Sequence, residues 1–232
     1  MKIHSISDLM ASRFRHRFWR IASTTVWFFM LVSTLDNIQV SAVTIDETKV
    51  EKDLRFQEAF EDSKIVPEII PDVPWDELKV DYGNVSLKLG NTLVVHQAWR
   101  RPFEMKWPMI KGFFYTLLFL APDHPDPANP RFRIYVLWGI TNIRDGKLKE
   151  GDTFAEYIMP PPPEKKGRQR YVYLLYQQKP TGRQRFKEDY VPGRPEDRAR
   201  ANLSLKLFVC KYDLIQTPAA GNFFYINWGV TI

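Results

Sequence analysis

Cysteine is almost missing from this chain of 232 residues: Cys210 is the single one. No intramolecular disulfide can form, so stability has to come from packing, and a lone thiol of this kind is expected to be buried and inert. Histidine is nearly as scarce, and only His96 and His124 lie beyond residue 42. The sequence has no HExxH, no paired CxxC, no G-x-S-x-G and no P-loop, which removes the common zinc set, the nucleophile elbow and the phosphate cradle. A Cys–His or Ser–His pair would have to use Cys210 or a serine outside any motif that exposes it. No catalysis, no metal and no cofactor are therefore expected.

What the chain does have is apolar: 44% of it is hydrophobic and 14% aromatic. That argues against disorder and suits one domain of ordinary size plus extra segments. The formal charge is +6. Residues 1–42 carry five basic side chains (Lys2, Arg13, Arg15, Arg17, Arg20) against Asp8 and Asp36, a net of +3, which leaves +3 for the rest. So balanced a body gives no reason to expect a nucleic-acid partner.

The amino-terminal charge has its own explanation. Residues 13–20 (RFRHRFWR) are a basic flank, 21–35 (IASTTVWFFMLVSTL) are an apolar run of h-region length, and Val40-Ser41-Ala42 is a small-residue cleavage pattern. This order is that of a secretory signal peptide, and a secreted protein is expected. A type II membrane anchor and a mitochondrial presequence are the alternatives; the run is short for a bilayer span, and the compact VWFFMLV block fits export better than import. Asn84-Val-Ser86 and Asn202-Leu-Ser204 match the N-glycosylation acceptor pattern.

Beyond the leader, residues 44–64 are free of Gly and Pro, and Leu54, Phe56, Ala59, Phe60 and Ile65 are spaced as one face of a helix. PEIIPDVP at 67–74 ends it. Short alternating runs at 78–82, 85–89 and 92–96, separated by Gly83-Asn84 and Gly90-Asn91, predict a meander. Apolar strands are predicted at 113–120, 132–143, 170–177 and 223–228, with Asp145-Gly146 as a turn and four prolines, Pro160 to Pro163, as a stiff loop. Residues 179–200 read as a basic surface loop, and 203–212 as a short helix with Leu203, Leu207 and Cys210 on successive turns. Strands following strands through short connections argue for an antiparallel β sandwich with a few helices.

Several blocks in order carry a resemblance. IVPEIIPDVPWDELKVDYGN, YTLLFLAPDHP, NPRFR before a strand ending TNI, GRQRYVYLLYQQ after the prolines, and LFVCKYDLIQTPAAGNFFYINW together resemble the phosphatidylethanolamine-binding protein family from about residue 62 to 228. The resemblance implies a mainly β fold, a large central antiparallel sheet packed on a smaller one with peripheral helices. It divides the chain into a signal peptide at 1–42, a helical lead-in at 43–66 and the family domain at 67–232. Members of the family have one small anion pocket for phosphate-like groups such as phospholipid heads, and some inhibit kinases or serine proteases.

Carried over position by position, Pro122, Asp123 and Pro125 match the family's D-P-D-x-P loop, and Gly167, Arg170 and Tyr171 match its G-x-H-R-Y block. The departures are Ala121 for the first Asp, Leu137 and Gln169 for two histidines, 159–163 (MPPPP) for a glycine-bearing loop, and Phe224 for an aromatic hydroxyl. An oxyanion needs convergent N–H donors, and proline and leucine supply none. The implied site (Asp123, Pro125, Leu137, Gln169, Arg170, Tyr171, Phe224) therefore reads as a degenerate pocket. Asp123 also reads as a turn-former, His124 as a solvated loop residue, and Arg170 as a partner for a loop carboxylate such as Asp123. Basic residues 165–200, among them Arg170 and Arg200, read as a solvated surface that could meet an acidic partner or anionic headgroups.

Three functions follow as expectations. One is a secreted binding protein for a phospholipid headgroup or a more apolar small ligand. Another is a protein-interaction module resembling a protease or kinase inhibitor. A third, resting on the mitochondrial alternative for the leader, is a structural subunit of a mitochondrial ribosome.

Overall fold

The computed structural model describes residues 47–179, 182–195 and 197–229; the leader read at 1–42 lies outside them. The chain runs from helix α1 (Glu47–Asp62) into four short strands, β1 (Asp76–Glu77), β2 (Lys79–Asp81), β3 (Asn91–Leu93) and β4 (Glu104–Lys106). Longer strands follow: β5 (Phe114–Ala121), β6 (Tyr135–Arg144), the shorter β7 (Asp152–Ala155), and β8 (Gly167–Gln177). Helix α2 (Leu205–Lys211) then precedes β9 (Ala220–Trp228).

Seven strands make one sheet in the order β1-β9-β8-β5-β6-β7, with β3 also beside β9, while β2 and β4 make a second, two-stranded sheet. The long neighbours are antiparallel, and β1 and β3 both join β9 in parallel. The result is the mainly β, two-sheet architecture with peripheral helices that the sequence implies, mixed at one edge.

The central strands are apolar along nearly their whole length because both faces of the sheet are covered. Successive side chains point to opposite faces. Along β8, Tyr171, Tyr173 and Leu175 join Phe119, Phe224 and the small sheet's Val80 and Met105 in one core. Val172, Leu174 and Tyr176 join Leu118, Leu120 and the helical Phe60 and Phe208 in the other.

Three expectations are corrected. No meander forms: the Gly83 turn does fold the chain back, with Leu87 N–H on the Val80 carbonyl, but residues 85–89 contribute only an isolated bridge at Ser86. The chain is instead drawn to β9, where Leu89 N–H donates to Asn222 Oδ1 at 3.2 Å and Gly90 N–H to the Phe223 carbonyl at 2.8 Å. Gly90 has φ +91°, and a Cβ there would sit 2.7 Å from the Phe223 ring, so this approach requires glycine. Second, α2 begins after the Ser204 N-cap and turns Leu205, Phe208 and Val209 inward, which leaves Leu207 and Cys210 exposed rather than buried.

The third correction concerns Arg200, read as part of a solvated basic surface. It is 1% exposed. Its guanidinium donates to the carbonyls of Arg194 at 3.1 Å, Val136 at 3.0 Å, Leu137 at 3.5 Å and Glu156 at 3.0 Å, and also to Pro192. The basic loop is thereby bound to β6 and to the segment after β7. Burial pulls the Arg200 pKa below its usual value, against the opposing influence of Asp197 and Glu156; among the described residues it makes no ion pair, and its hydrogen bonds go to carbonyl dipoles. Arg200→Met, which keeps much of the volume, leaves these carbonyls without donors. It is expected to lower stability by about 3 kcal/mol in urea denaturation.

Candidate functional site

β5 ends at Ala121 and delivers the proline loop onto the end of the sheet. Asp126 closes the loop by accepting the Ala128 N–H at 2.9 Å, and that bond, with Lys165 adding to it, holds its carboxyl below the usual range. His124 lies against Tyr135, ring centroids 4.6 Å apart. Burial there lowers its pKa below the ordinary 6.5.

Asp123 faces Arg170 of β8 in a two-pronged pair: Arg170 Nε donates to Oδ2 at 2.8 Å and Nη2 to Oδ1 at 2.7 Å. Arg170 also donates to the Ser63 carbonyl at 2.7 Å and to Glu68 Oε2 at 3.1 Å. Burial opposes the guanidinium charge, but the bonds and charges of Asp123 and Glu68 outweigh it and raise the Arg170 pKa. Both side chains of the pair are largely buried, so Arg170, like Arg200, does not belong to a solvated basic surface.

The alternation of β8 separates the candidate residues. Arg168 and Arg170 stand on the α1 side, where they line an open cleft of about 410 Å³ together with Asp123, Lys64, Glu68 and Tyr225. Gln169 and Tyr171 point through to the other face. Seven positions that sequence places in one pocket are therefore divided: Asp123 and Arg170 are paired on one side of the sheet, and Leu137, Tyr171 and Phe224 belong to the core on the other.

On that other side the space is filled. Leu137, Gln169, Tyr171 and Phe224 are each 1% exposed or less, and Pro160 and Pro161 are buried with them. Tyr171 and Phe224 stack at 5.3 Å, and Phe119 stacks on Tyr173 at 4.1 Å and on Tyr157 at 5.8 Å. The remaining polar groups are committed to one another. Gln169 Nε2 donates to the Pro125 carbonyl at 3.4 Å, Trp228 Nε1 to the Tyr171 hydroxyl at 3.0 Å, and Tyr157 to the Ala98 carbonyl at 2.6 Å. The Tyr82 and Tyr173 hydroxyls meet at 2.7 Å, and burial pushes the Tyr82 pKa up to about 12.

The cleft residues Lys64, Glu68 and Tyr225 and this tyrosine cluster were not legible as site residues. The separation of Arg170 from Gln169 and Tyr171 was legible, since consecutive residues of a strand cannot share a face. Among the described residues no group of three or more His, Cys, Asp or Glu side chains is placed to hold a metal ion.

Removing one member of the Asp123–Arg170 pair strands a charge that is mostly out of water. Asp123→Ala is expected to cost about 3 kcal/mol in chemical denaturation, and the Asp123→Ala/Arg170→Met double variant to fall short of the summed single effects by about 1 kcal/mol or more.

The family model described as phosphatidylethanolamine-binding protein matches residues 101–224. The chain is 28% identical over 179 residues to a Drosophila melanogaster protein described as a candidate odorant-binding protein, A5, covering 77% of this chain and 83% of that one. It is 29% identical over 166 residues to the 26 kDa secreted antigen of Toxocara canis, covering 71% of this chain and 62% of the antigen, less than two thirds of its length. Among solved structures, the phosphatidylethanolamine-binding protein from Plasmodium vivax superposes with a TM-score of 0.62 at 19% identity, covering 74% of this chain and 96% of that one, a likeness of fold. The family match spans more than half of the sequence and the fold is alike, and this chain belongs to the phosphatidylethanolamine-binding protein family.

Proposed function

We propose that this is an exported, non-catalytic binding protein whose family pocket is closed by its own side chains and which binds through its surface. One observation carries this reading: Leu137, Gln169, Tyr171 and Phe224 are shut off from solvent, and Leu137, Tyr171 and Phe224 belong to one hydrophobic core. An anion entering there would have to displace an aromatic stack and would find the Gln169 amide already bound to a carbonyl. Losing two or three charge-assisted hydrogen bonds, each worth about 1.5–3 kcal/mol, removes several orders of magnitude of affinity.

Titration of the protein with inorganic phosphate or phosphorylethanolamine at millimolar concentration is expected to give no binding heat in calorimetry. A micromolar dissociation constant for either would show that the pocket opens and would overturn the reading.

Export is supported by the leader pattern, by the secreted antigen among the relatives, and by the exposure of both acceptor asparagines, Asn84 and Asn202. In a secreting cell the mature protein is expected to begin near Val43 and to carry glycan at Asn84, read by amino-terminal sequencing and peptide mass before and after deglycosylation. Mitochondrial import without glycan would refute it.

A further inference from the structure

The segment between β3 and β5 presents its apolar side chains outward. Four of the nine exposed large apolar side chains among the described residues fall within residues 99–110: Trp99, Phe103, Met109 and Ile110. Trp99 is 66% exposed and Phe103 86%. This is not a loose loop. Phe103 N–H donates to the Asp81 carbonyl at 2.7 Å, Ile110 N–H to the Tyr115 hydroxyl at 2.9 Å, and the Ala98 carbonyl accepts from Tyr157. Met105 and Trp107 are buried between the exposed residues and anchor β4 to the core. The aromatic side chains are thus held out in water by a fixed base, each forgoing about 1.5–3 kcal/mol of burial.

The charge along this segment is mainly basic, although Asp81 faces Glu104 across the small sheet. Arg100, Arg101, Lys106 and Lys111 are all exposed, and Glu104 is the single acid between 99 and 111. Glu104 is bound to Lys106 at 2.7 Å, and no ion pair engages Arg100, Arg101 or Lys111 among the described residues. The exposed apolar residues flank the three-residue strand β4 as two tips, Trp99 and Phe103 before it and Met109 and Ile110 after it. A fluid bilayer interface accepts separate protruding aromatics one by one, and each nearby Arg or Lys adds about 1 kcal/mol on an anionic surface.

We propose that the tips at 99–103 and 108–111 dock the protein on an anionic lipid membrane, Trp99, Phe103 and Ile110 entering the interface and Arg100, Arg101 and Lys111 meeting the headgroups. The contact lies outside the family pocket and does not depend on whether that pocket is closed.

The test is co-sedimentation of the mature protein, secreted and beginning near Val43, with phosphatidylcholine vesicles, with and without about 30% phosphatidylserine, at low and high salt. Wild type is expected to bind the anionic vesicles about tenfold better than the neutral ones, an advantage that high salt removes. Trp99→Ser/Phe103→Ser and Arg100→Ser/Arg101→Ser should each reduce that advantage about fivefold or more, with unchanged thermal midpoints because all four side chains are exposed. The mature protein lacks the basic flank at 13–20 and the apolar run at 21–35, so vesicle binding reports the folded domain. Millimolar glycerophosphoserine is expected not to compete; competition would put the lipid contact at a headgroup pocket and overturn the proposal. Equal binding to both vesicles, or full binding by the aromatic variant, overturns it too. Absence of vesicle binding together with self-association that Trp99→Ser/Phe103→Ser abolishes would assign the surface to a second copy of the chain instead.

Discussion

At the end of the sheet, three pieces of chain far apart in sequence meet on one guanidinium. Arg170 reaches from β8 to the proline loop through Asp123, and to the segment just after α1 through the Ser63 carbonyl and Glu68. Planar, forked and always charged, an arginine can grip a carboxylate with two parallel bonds while its remaining N–H groups turn to other acceptors, a geometry that the point charge of a lysine does not reproduce. With Asp123 so engaged, the proline loop has a fixed height above the sheet. That height brings the Pro125 carbonyl to the Gln169 amide and to the Glu164 N–H.

Arg200 does comparable work with no carboxylate at all. Its position against β6 ties a long polar loop to the sheet through backbone carbonyls alone. Together the two arginines explain how a chain with one cysteine, itself exposed, keeps its long connections ordered. Charge-assisted hydrogen bonds at two buried points provide cross-linking that small exported domains often draw from disulfides.

The long strands were legible because both faces of the central sheet are covered, so β5, β6, β8 and β9 read as unbroken apolar runs. The short strands were not. Residues 78–96 have the alternation of a hairpin, yet β2 pairs with β4 and β3 with β9, more than 120 residues away, and no local pattern encodes such pairings. The phase of α2 failed for a related reason: seven residues offer two turns, and Leu207 and Phe208 are equally apolar to a periodicity count. In the candidate site, the loss of donors at Leu137 and Pro160 to Pro163 could be read from residue identity. The filling of the space could not, because Phe119, Tyr157, Tyr173 and Phe224 come from four separate strands and loops and stack only once the sheet is formed.

The alternation of β8 has one more consequence. Arg168 and Arg170 answer to the α1 side, while Gln169 and Tyr171 answer to the small-sheet side, and the backbone between them is a rigid partition. The two parities meet again only in the proline loop, where Asp123 holds Arg170 and the Pro125 carbonyl accepts from Gln169. The strand thus carries two texts on alternate letters, bound together along one short margin: a change at Arg170 reaches the other face through that loop and not through the strand.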